Sequence, residues 1–292
     1  MISAPLGRSG AVALVVGGLV CQEVGASLAV LLFPAAGPLG MVMLRLVFSA
    51  VLLWAIARPT LRGRSVGAWR AVVMFGLVLA LMNGFFYLAL ERLPLGVTVT
   101  IEVLGPLTLS VIVARRLSAW LWAALALGGV VLLAGGGWEE LDLVGVLFAL
   151  AAAGCWAGYI LSSARVGREF SQLDGLAIAM AIGAAVALPF GIADAGSALL
   201  NPVTLGLGAA VAVLSSAIPY ALELTALRRL PASGFAVLMS LAPATATLAG
   251  WILLGQFLTL VELTGIALVI VASIGAVRAS GRAADAAAQP VG

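Results

Sequence analysis

Long apolar runs alternate with short polar connections along almost the whole chain. Each run holds about 20 residues, which matches an α-helix crossing the hydrocarbon core of a bilayer. The strands of a membrane barrel would instead alternate over about 10 residues. The pattern predicts an all-α integral membrane protein with ten transmembrane spans, at residues 10–33, 38–57, 68–90, 94–114, 118–135, 143–166, 172–191, 203–227, 231–254 and 259–278.

Several landmarks recur at one fixed offset. The pairs 137 residues apart are Leu93-Pro94 with Leu230-Pro231, Pro106 with Pro243, and Gly128 with Gly265. The charges do not follow this offset, because Arg115 and Arg116 align with Ile252 and Leu253. A repeat that keeps its helices and changes its loop charges indicates two halves inserted in opposite directions, an arrangement typical of transporters.

This interpretation divides the chain into four parts. Residues 1–135 and 143–278 are predicted to be two inverted five-helix repeats around a central cavity. Residues 136–142 form an external linker between them, and residues 279–292, which are small and polar, are expected to be a disordered cytoplasmic tail.

Composition narrows the class of protein further. Hydrophobic residues make up 63% of the chain and charged residues 9%, and the mean hydropathy is +1.22, whereas a soluble domain averages about 25% charged residues. No span is left for a soluble catalytic domain, and no nucleophile–base pair, metal-ligand spacing or cofactor fingerprint occurs. We therefore expect no enzymatic activity, metal or cofactor, and the dispersed arginines indicate no nucleic-acid partner.

Arginine placement predicts the orientation. All 15 basic residues are arginines, and 13 of them fall on one side of the ten spans. Only Arg92 falls on the other side, and Arg45 lies within a span. By the positive-inside rule, both termini are expected in the cytoplasm.

Charged side chains within the spans are the first candidates for function, since such residues usually face a bundle interior or a water-filled cavity. Glu23, Arg45 and Glu102 are each predicted roughly 10–15 Å from the external ends of their helices, at 1.5 Å per residue. They are therefore expected to meet in the outer half of the bundle. Glu223 lies about a turn from Arg228, so an interfacial position is expected for it.

This trio leaves two roles open. Arg45 can pair with one carboxylate, and the other, desolvated without a partner, would favour its protonated form and become a candidate proton carrier. Alternatively, the three residues form a structural ion pair plus a permanently protonated or solvated acid.

Three prolines and a set of polar and aromatic faces complete the candidates. Pro106, Pro219 and Pro243 lie inside spans, where each removes a backbone hydrogen bond. They either make static kinks or bend helices around a central cavity. Residues that share helix faces and are expected to bind substrate are Asn83, Phe86 and Tyr87; Thr98 and Glu102; Trp156, Tyr159 and Ser163; Ser216 and Tyr220; and Met239 and Ser240. The alternative for each face alone is ordinary helix packing.

Three segments carry a family resemblance: LRLVFSAVLLW (44–54), LERLPLGVTVTIEVLGPLTLSVIVARR (90–116) and LRRLPASGFAVLMSLAPATATLAGWILLGQ (227–256). The chain resembles the ten-helix EamA branch of the drug/metabolite transporter superfamily, and within it bacterial amino-acid exporters of the threonine/homoserine and aromatic types. The resemblance implies alternating-access export across the bacterial inner membrane, through a cavity lined by spans 1, 3, 4, 6, 8 and 9. It carries over only Arg45, Glu102, Pro106 and Pro243.

The leading hypothesis is thus a secondary-active exporter of amino acids or related small metabolites, working as a monomer with the lipid bilayer and a small solute as its partners. Aromatic walls and an uncompensated carboxylate would equally suit a multidrug or lipophilic-cation exporter. A membrane protein that transports nothing, either a scaffold or an intramembrane enzyme, is the third possibility.

Overall fold

The computed structural model describes residues 8–114, 117–133, 142–170, 172–227, 230 and 232–288, and these residues form helices and no strand. The predicted linker at 136–141 lies outside them. The described residues contain twelve α-helices: α1 (Arg8–Ala57), α2 (Val66–Leu90), α3 (Leu95–Glu102), α4 (Leu104–Ala114), α5 (Leu117–Leu133), α6 (Leu143–Glu169), α7 (Gln172–Ala195), α8 (Pro202–Ala212), α9 (Ile218–Leu227), α10 (Ala232–Met239), α11 (Ala242–Leu254) and α12 (Leu260–Ala288).

The long helix α1 reverses direction at Gly37. This residue has φ 67° and ψ 164°, a conformation essentially restricted to glycine. A continuous helix would separate positions 25 and 45 by about 30 Å. Yet Gly25 packs against Ser215, and the Arg45 guanidinium donates a hydrogen bond to the carbonyl of Ser215. The chain therefore folds back, and the two arms of α1 face one another.

The carboxylate of Asp194, at the end of α7, fixes this reversal. It accepts hydrogen bonds from the backbone N–H groups of Leu39 and Gly40, at 2.8 and 3.2 Å. These are donors of a first helical turn, which have no partner within their own helix.

Two prolines interrupt helices four residues upstream of themselves. Pro106 lies in the first turn of α4, and α3 ends at Glu102. Pro243 lies in the first turn of α11, and α10 ends at Met239. The physical reason is the same at both positions, because a proline ring has no N–H for the carbonyl of residue i−4 and clashes with it. The carbonyls of Glu102 and Met239 therefore lack the helical donor that residue i+4 would otherwise supply.

Pro219 produces a different irregularity. The segment Val213–Ala217 between α8 and α9 is a π-helix, a form that often marks functional sites. The carbonyl that Pro219 cannot pair belongs to Ser215, and it is the acceptor for Arg45.

Small residues bring helices into close contact around these breaks. Gly105 of α4 packs against the backbone of Ala153 in α6, and Gly129 of α5 packs against the backbone of Gly265 in α12. α1 packs against α7, α8 and α9, and α2 lies against α6 and α7. The break between α3 and α4 is thus held against the continuous helix α6.

Among the described residues, seven helices are long and apolar enough to cross a membrane, and one of these contains the reversal at Gly37. Two shorter apolar helices cover Trp120–Leu133 and Pro202–Ala217. α12 continues to Ala288, so residues 279–288 are helical where a disordered tail was expected. Alanine-rich sequence explains the extension, since alanine is the strongest helix former.

Candidate functional site

A small cavity brings the predicted intramembrane charges together. It has a volume of about 60 Å³, and we call it the charged cavity. The residues predicted from the sequence that line it are Glu23, Arg45, Asn83, Phe86, Glu102, Trp156 and Met239. The remaining lining residues are Leu19, Gln22, Ala26, Met82, Val99 and Ala242.

Two hydrogen bonds and a ring contact hold Arg45 in place. One guanidinium nitrogen donates to the Ser215 carbonyl at 3.0 Å, and another donates to the Tyr87 hydroxyl at 3.4 Å. The guanidinium also lies 5.8 Å from the centre of the Tyr87 ring, within the range of a cation–π contact. The Nε–H of Arg45 is buried and has no hydrogen-bond partner within the described part of the chain. The guanidinium is therefore positioned while part of its donor set stays free.

The two carboxylates of the cavity are not neutralised by that guanidinium through direct contact. The ion pairs within 4.0 Å in the described part of the chain are Arg64–Asp174 and Arg92–Asp142, neither of them in the cavity. Glu23 is 2% exposed, and its Oε2 has no hydrogen-bond partner among the described residues. The cavity thus presents one guanidinium and two carboxyl groups that are not in ion-pairing contact with it.

Neutral side chains complete the wall. The Asn83 amide nitrogen donates to the Leu79 carbonyl at 2.8 Å, which leaves the amide oxygen as an acceptor at the cavity. Phe86 and Trp156 supply aromatic surface beside it. A few polar groups among apolar walls are typical of sites for small ligands.

A second and larger cavity adjoins the first, and we call it the vestibule. Its volume is about 270 Å³. Trp156 and Met239 line both cavities, and therefore form the boundary between them. The other lining residues are Val103, Pro106, Leu107, Ser110, Ile160, Phe235, Ala236, Ser240, Ser273, Ala276 and Val277.

The vestibule lies toward the end of the bundle that the sequence predicts to be rich in arginine. Along α3 and α4, the charged cavity is lined by Val99 and Glu102, whereas the vestibule is lined from Val103 to Ser110. Val277 of the vestibule directly precedes Arg278. Along α3 and α4, the vestibule therefore lies between that predicted end and the charged cavity.

At the opposite end, α3 and α11 are closely packed. A Cβ atom on Gly96 would lie 3.0 Å from the Cα of Thr247. The side-chain oxygen of Gln256 accepts a hydrogen bond of 2.9 Å from the N–H of Leu95, a first-turn donor of α3. This contact joins the two interrupted helices beyond the charged cavity.

Several predicted residues line neither cavity. Tyr87 is fully buried and supports Arg45, and the Tyr159 ring lies 5.1 Å from the ring of Phe75. Thr98 and Ser163 donate to backbone carbonyls of their own helices, at Pro94 and Ile160.

The predicted face of Ser216 and Tyr220 lies on α9 and the π-helix before it, next to the Ser215 carbonyl that binds Arg45. Ser216 is buried, and its hydroxyl has no hydrogen-bond partner among the described residues. The backbone of Tyr220 belongs to α9, but its side chain lies outside the described residues.

Sequence reasoning missed several lining residues. Gln22 directly precedes Glu23, and its polarity within an apolar run was a usable signal. Met82 and Val99 carry no such signal, because apolar residues occur on every face of these helices. Ser110 and Ser273 could have been found as isolated hydroxyls in apolar spans, but hydroxyls that bond to their own helix are common there.

One charged pair lies outside the spans. Asp142 accepts hydrogen bonds from the N–H groups of Gly145 and Val144, at the start of α6, and from the Arg92 guanidinium at 2.9 Å. The pKa of Asp142 is lowered, chiefly by the Gly145 N–H and then by Arg92. This pair fixes the connection between α2 and α3 to the start of α6.

Apolar helices of spanning length surround two adjoining cavities, one of which is lined by an arginine and two glutamates, and this combination defines a multi-pass membrane transporter. A family model described as the EamA-like transporter family matches residues 143–278. The threonine/homoserine exporter RhtA of Escherichia coli K12 is 41% identical over 254 residues, covering 86% of this chain and 85% of its own. The chain belongs to the EamA-like transporter family.

Other comparisons agree with this assignment. RhtA of Salmonella typhimurium LT2 has the same identity and coverage. The uncharacterized transporter YwfM of Bacillus subtilis is 30% identical over 212 residues, covering 70% of this chain and 71% of its own. A crystal structure of another protein, 20% identical, covers 94% of this chain and 99% of its own with a TM-score of 0.61, and shows a shared fold alone.

These relatives confirm the predicted family and the expectation that the chain is not an enzyme. The scaffold and intramembrane-enzyme hypothesis is therefore wrong. The multidrug alternative gains no support, because these exporters are named for amino acids.

Proposed function

We propose that this protein exports small amino acids across the bacterial inner membrane by alternating access. The charged cavity supports this proposal most directly, since a guanidinium and two carboxylates face one small space without pairing with each other. An amino acid at neutral pH carries a carboxylate and an ammonium group. It therefore complements both signs of charge in the cavity.

Arg45 is assigned the solute carboxylate. Ser215 and Tyr87 hold its guanidinium in place, and its free donors match the bidentate geometry that carboxylates prefer. The alternative, a structural ion pair with a carboxylate of the cavity, is less well supported because neither Glu23 nor Glu102 lies within ion-pairing distance.

Glu102 is assigned the solute ammonium group. Glu102 ends α3 at the break caused by Pro106 and lines the charged cavity. Glu23 is the more deeply buried acid, and it is the proposed proton carrier in a coupled cycle. Asn83 would accept a further hydrogen bond from the ammonium group or from a solute hydroxyl.

We further propose ten spanning segments arranged as two inverted repeats, with both termini cytoplasmic. The reversal at Gly37 supports counting α1 twice, and the interrupted helices α3–α4 and α10–α11 support the repeat, since their breaks lie at positions related by the 137-residue offset. In this arrangement the vestibule faces the cytoplasm, and the contact between Gln256 and Leu95 closes the external side.

Uptake into proteoliposomes tests the function. Purified protein would be offered radiolabelled threonine, phenylalanine and tryptophan, with and without a pH gradient. We expect saturable threonine uptake, and dependence on the gradient would implicate Glu23 or Glu102. No saturable uptake of any of the three above empty liposomes, with the protein folded, would overturn the proposal.

Substitutions at Arg45 test the assigned geometry. Arg45→Gln leaves the solute carboxylate without its partner, and loss of one member of a buried charge pair costs about 2 kcal/mol or more, which is a rise in KM of about 30-fold or more. Arg45→Lys keeps the charge but loses the bidentate fork, so its KM should lie between those of the wild type and Arg45→Gln. Arg92→Gln, which removes an arginine of the external surface pair, is the matched control.

A further inference from the structure

The vestibule differs in chemistry from the charged cavity. None of the described residues that line it is charged, and most of its wall is aliphatic or aromatic. The hydroxyls of Ser110 and Ser240 already donate to carbonyls of their own helices, at Leu107 and Ala236. The vestibule therefore does not share the recognition proposed for a zwitterion.

Ser273 is the exception within this wall. Its side chain belongs to α12, the residue is 5% exposed, and its hydroxyl has no hydrogen-bond partner in the described part of the chain. An unsatisfied buried hydroxyl costs free energy that a bound group can recover. The vestibule therefore offers one unused hydrogen-bonding position within an apolar space.

Size separates the two cavities as well. One water needs roughly 10–15 Å³ of such space, so the charged cavity of about 60 Å³ has room for an amino-acid headgroup. By the same measure, the vestibule of about 270 Å³ has room for a bicyclic aromatic molecule.

We infer that the vestibule is a second ligand site, in series with the charged cavity, for an uncharged aromatic molecule with one hydrogen-bonding group that pairs with Ser273. Trp156 and Met239 form its inner wall, and Phe235 supplies a further aromatic surface. A ligand seated there lies between the charged cavity and the arginine-rich end. It would therefore obstruct the path without competing for Arg45.

The test uses indole and 1-methylindole, which share a ring system but differ in the N–H that Ser273 Oγ would accept. Radiolabelled indole would be bound to the protein in nanodiscs, with empty nanodiscs subtracted and 1-methylindole as competitor. We expect saturable binding, with indole about fivefold tighter than 1-methylindole, the net worth of one hydrogen bond. Ser273→Ala should bring that ratio to about one.

Two further variants complete the design. Ala236→Leu fills the vestibule and should abolish binding of both compounds. Ser162→Ala removes a hydroxyl from α6 that donates to Gly158 and lines neither cavity, so it should keep the fivefold ratio.

Several results would overturn the inference. Absence of saturable binding above empty nanodiscs would exclude the site. Equal affinity for both compounds in the wild type would indicate that binding is apolar and makes no hydrogen bond with Ser273, and an unchanged ratio in Ser273→Ala would exclude the assigned contact. Because binding is measured without transport, failure here is distinguishable from failure of amino-acid export.

Discussion

The close approach of α4 to α6 gives a prediction whose magnitude follows from the coordinates. A Cβ atom on Gly105 would lie 2.7 Å from the carbonyl carbon of Ala153, 3.1 Å from its Cα, and closer still to its oxygen. Carbon atoms normally approach to about 3.5–4.0 Å. These are backbone atoms, so no side chain can rotate aside, and Gly105→Ala must separate the helices by roughly 1 Å.

The neighbouring Gly154 supplies a matched control. It directly follows Ala153 on α6, and a Cβ added there meets no heavy atom within 4 Å. Both substitutions gain up to about 1 kcal/mol of helix propensity, so this contribution largely cancels between them. The difference in the free energy of unfolding is then the overpacking cost at Gly105, about 1–3 kcal/mol.

Reversible unfolding by SDS in mixed micelles, followed by tryptophan fluorescence, measures this difference. We expect Gly154→Ala to be as stable as the wild type or more so, and Gly105→Ala to be less stable than Gly154→Ala by the stated amount. If the two variants unfold at the same SDS fraction, the reasoning from backbone contact is refuted. Threonine uptake should also fall in Gly105→Ala, because Trp156 and Glu102 move apart with the two helices.

Three further predictions concern polar groups. Glu102→Gln should lower threonine uptake at least about tenfold while leaving membrane insertion intact, as judged by size-exclusion profiles; wild-type rates would contradict the role assigned to Glu102. Gln256→Ala should lower the free energy of unfolding in SDS by about 1 kcal/mol, because the Leu95 N–H loses its acceptor; no change would mean that water replaces it. Asp142 stabilises the fold above its ordinary pKa of 3.8, and this contribution is lost as the pH falls through the lowered folded pKa. Asp142→Asn should therefore be less stable than the wild type at pH 7, with the gap closing toward pH 3, and a gap independent of pH would contradict the assignment.

Charge placement made part of the site predictable from the sequence. Glu23, Arg45 and Glu102 are rare ionisable residues in apolar runs, and counting 1.5 Å per residue from the helix ends placed them at similar depths. The structure places all three at one cavity. A depth counted along the sequence does not give the direction in which a side chain points around its helix, however. It therefore did not show that the carboxylates stand apart from Arg45.

The irregular backbone was harder to predict from the sequence. The prolines were visible, but the breaks lie at Glu102 and Met239, four residues upstream, and Pro219 produces a π-helix instead of a break. Which carbonyl becomes free follows from proline chemistry, whereas its partner depends on packing against another helix. The hydrogen bond from Arg45 to the Ser215 carbonyl therefore depends on tertiary packing and could not be predicted from the sequence.

The vestibule was the least predictable feature. Its wall combines residues from four helices that are apolar on every face, so no periodicity distinguishes the lining side. Tyr159 and Thr98, which share faces with better candidates, point into packing instead. Grouping residues by helix face thus identifies a polar stripe. It does not decide whether that stripe lines a cavity or packs against another helix.

The reversal at Gly37 has a consequence for biosynthesis. The connection from Pro34 to Gly40 carries no charged residue, so we expect the two arms of α1 to enter the bilayer together as a hairpin with no hydrated loop to translocate. The backbone N–H groups of Leu39 and Gly40 bind the carboxylate of Asp194, and the ribosome adds Asp194 more than 150 residues later. The first hairpin of the nascent chain is therefore completed only when α7 arrives.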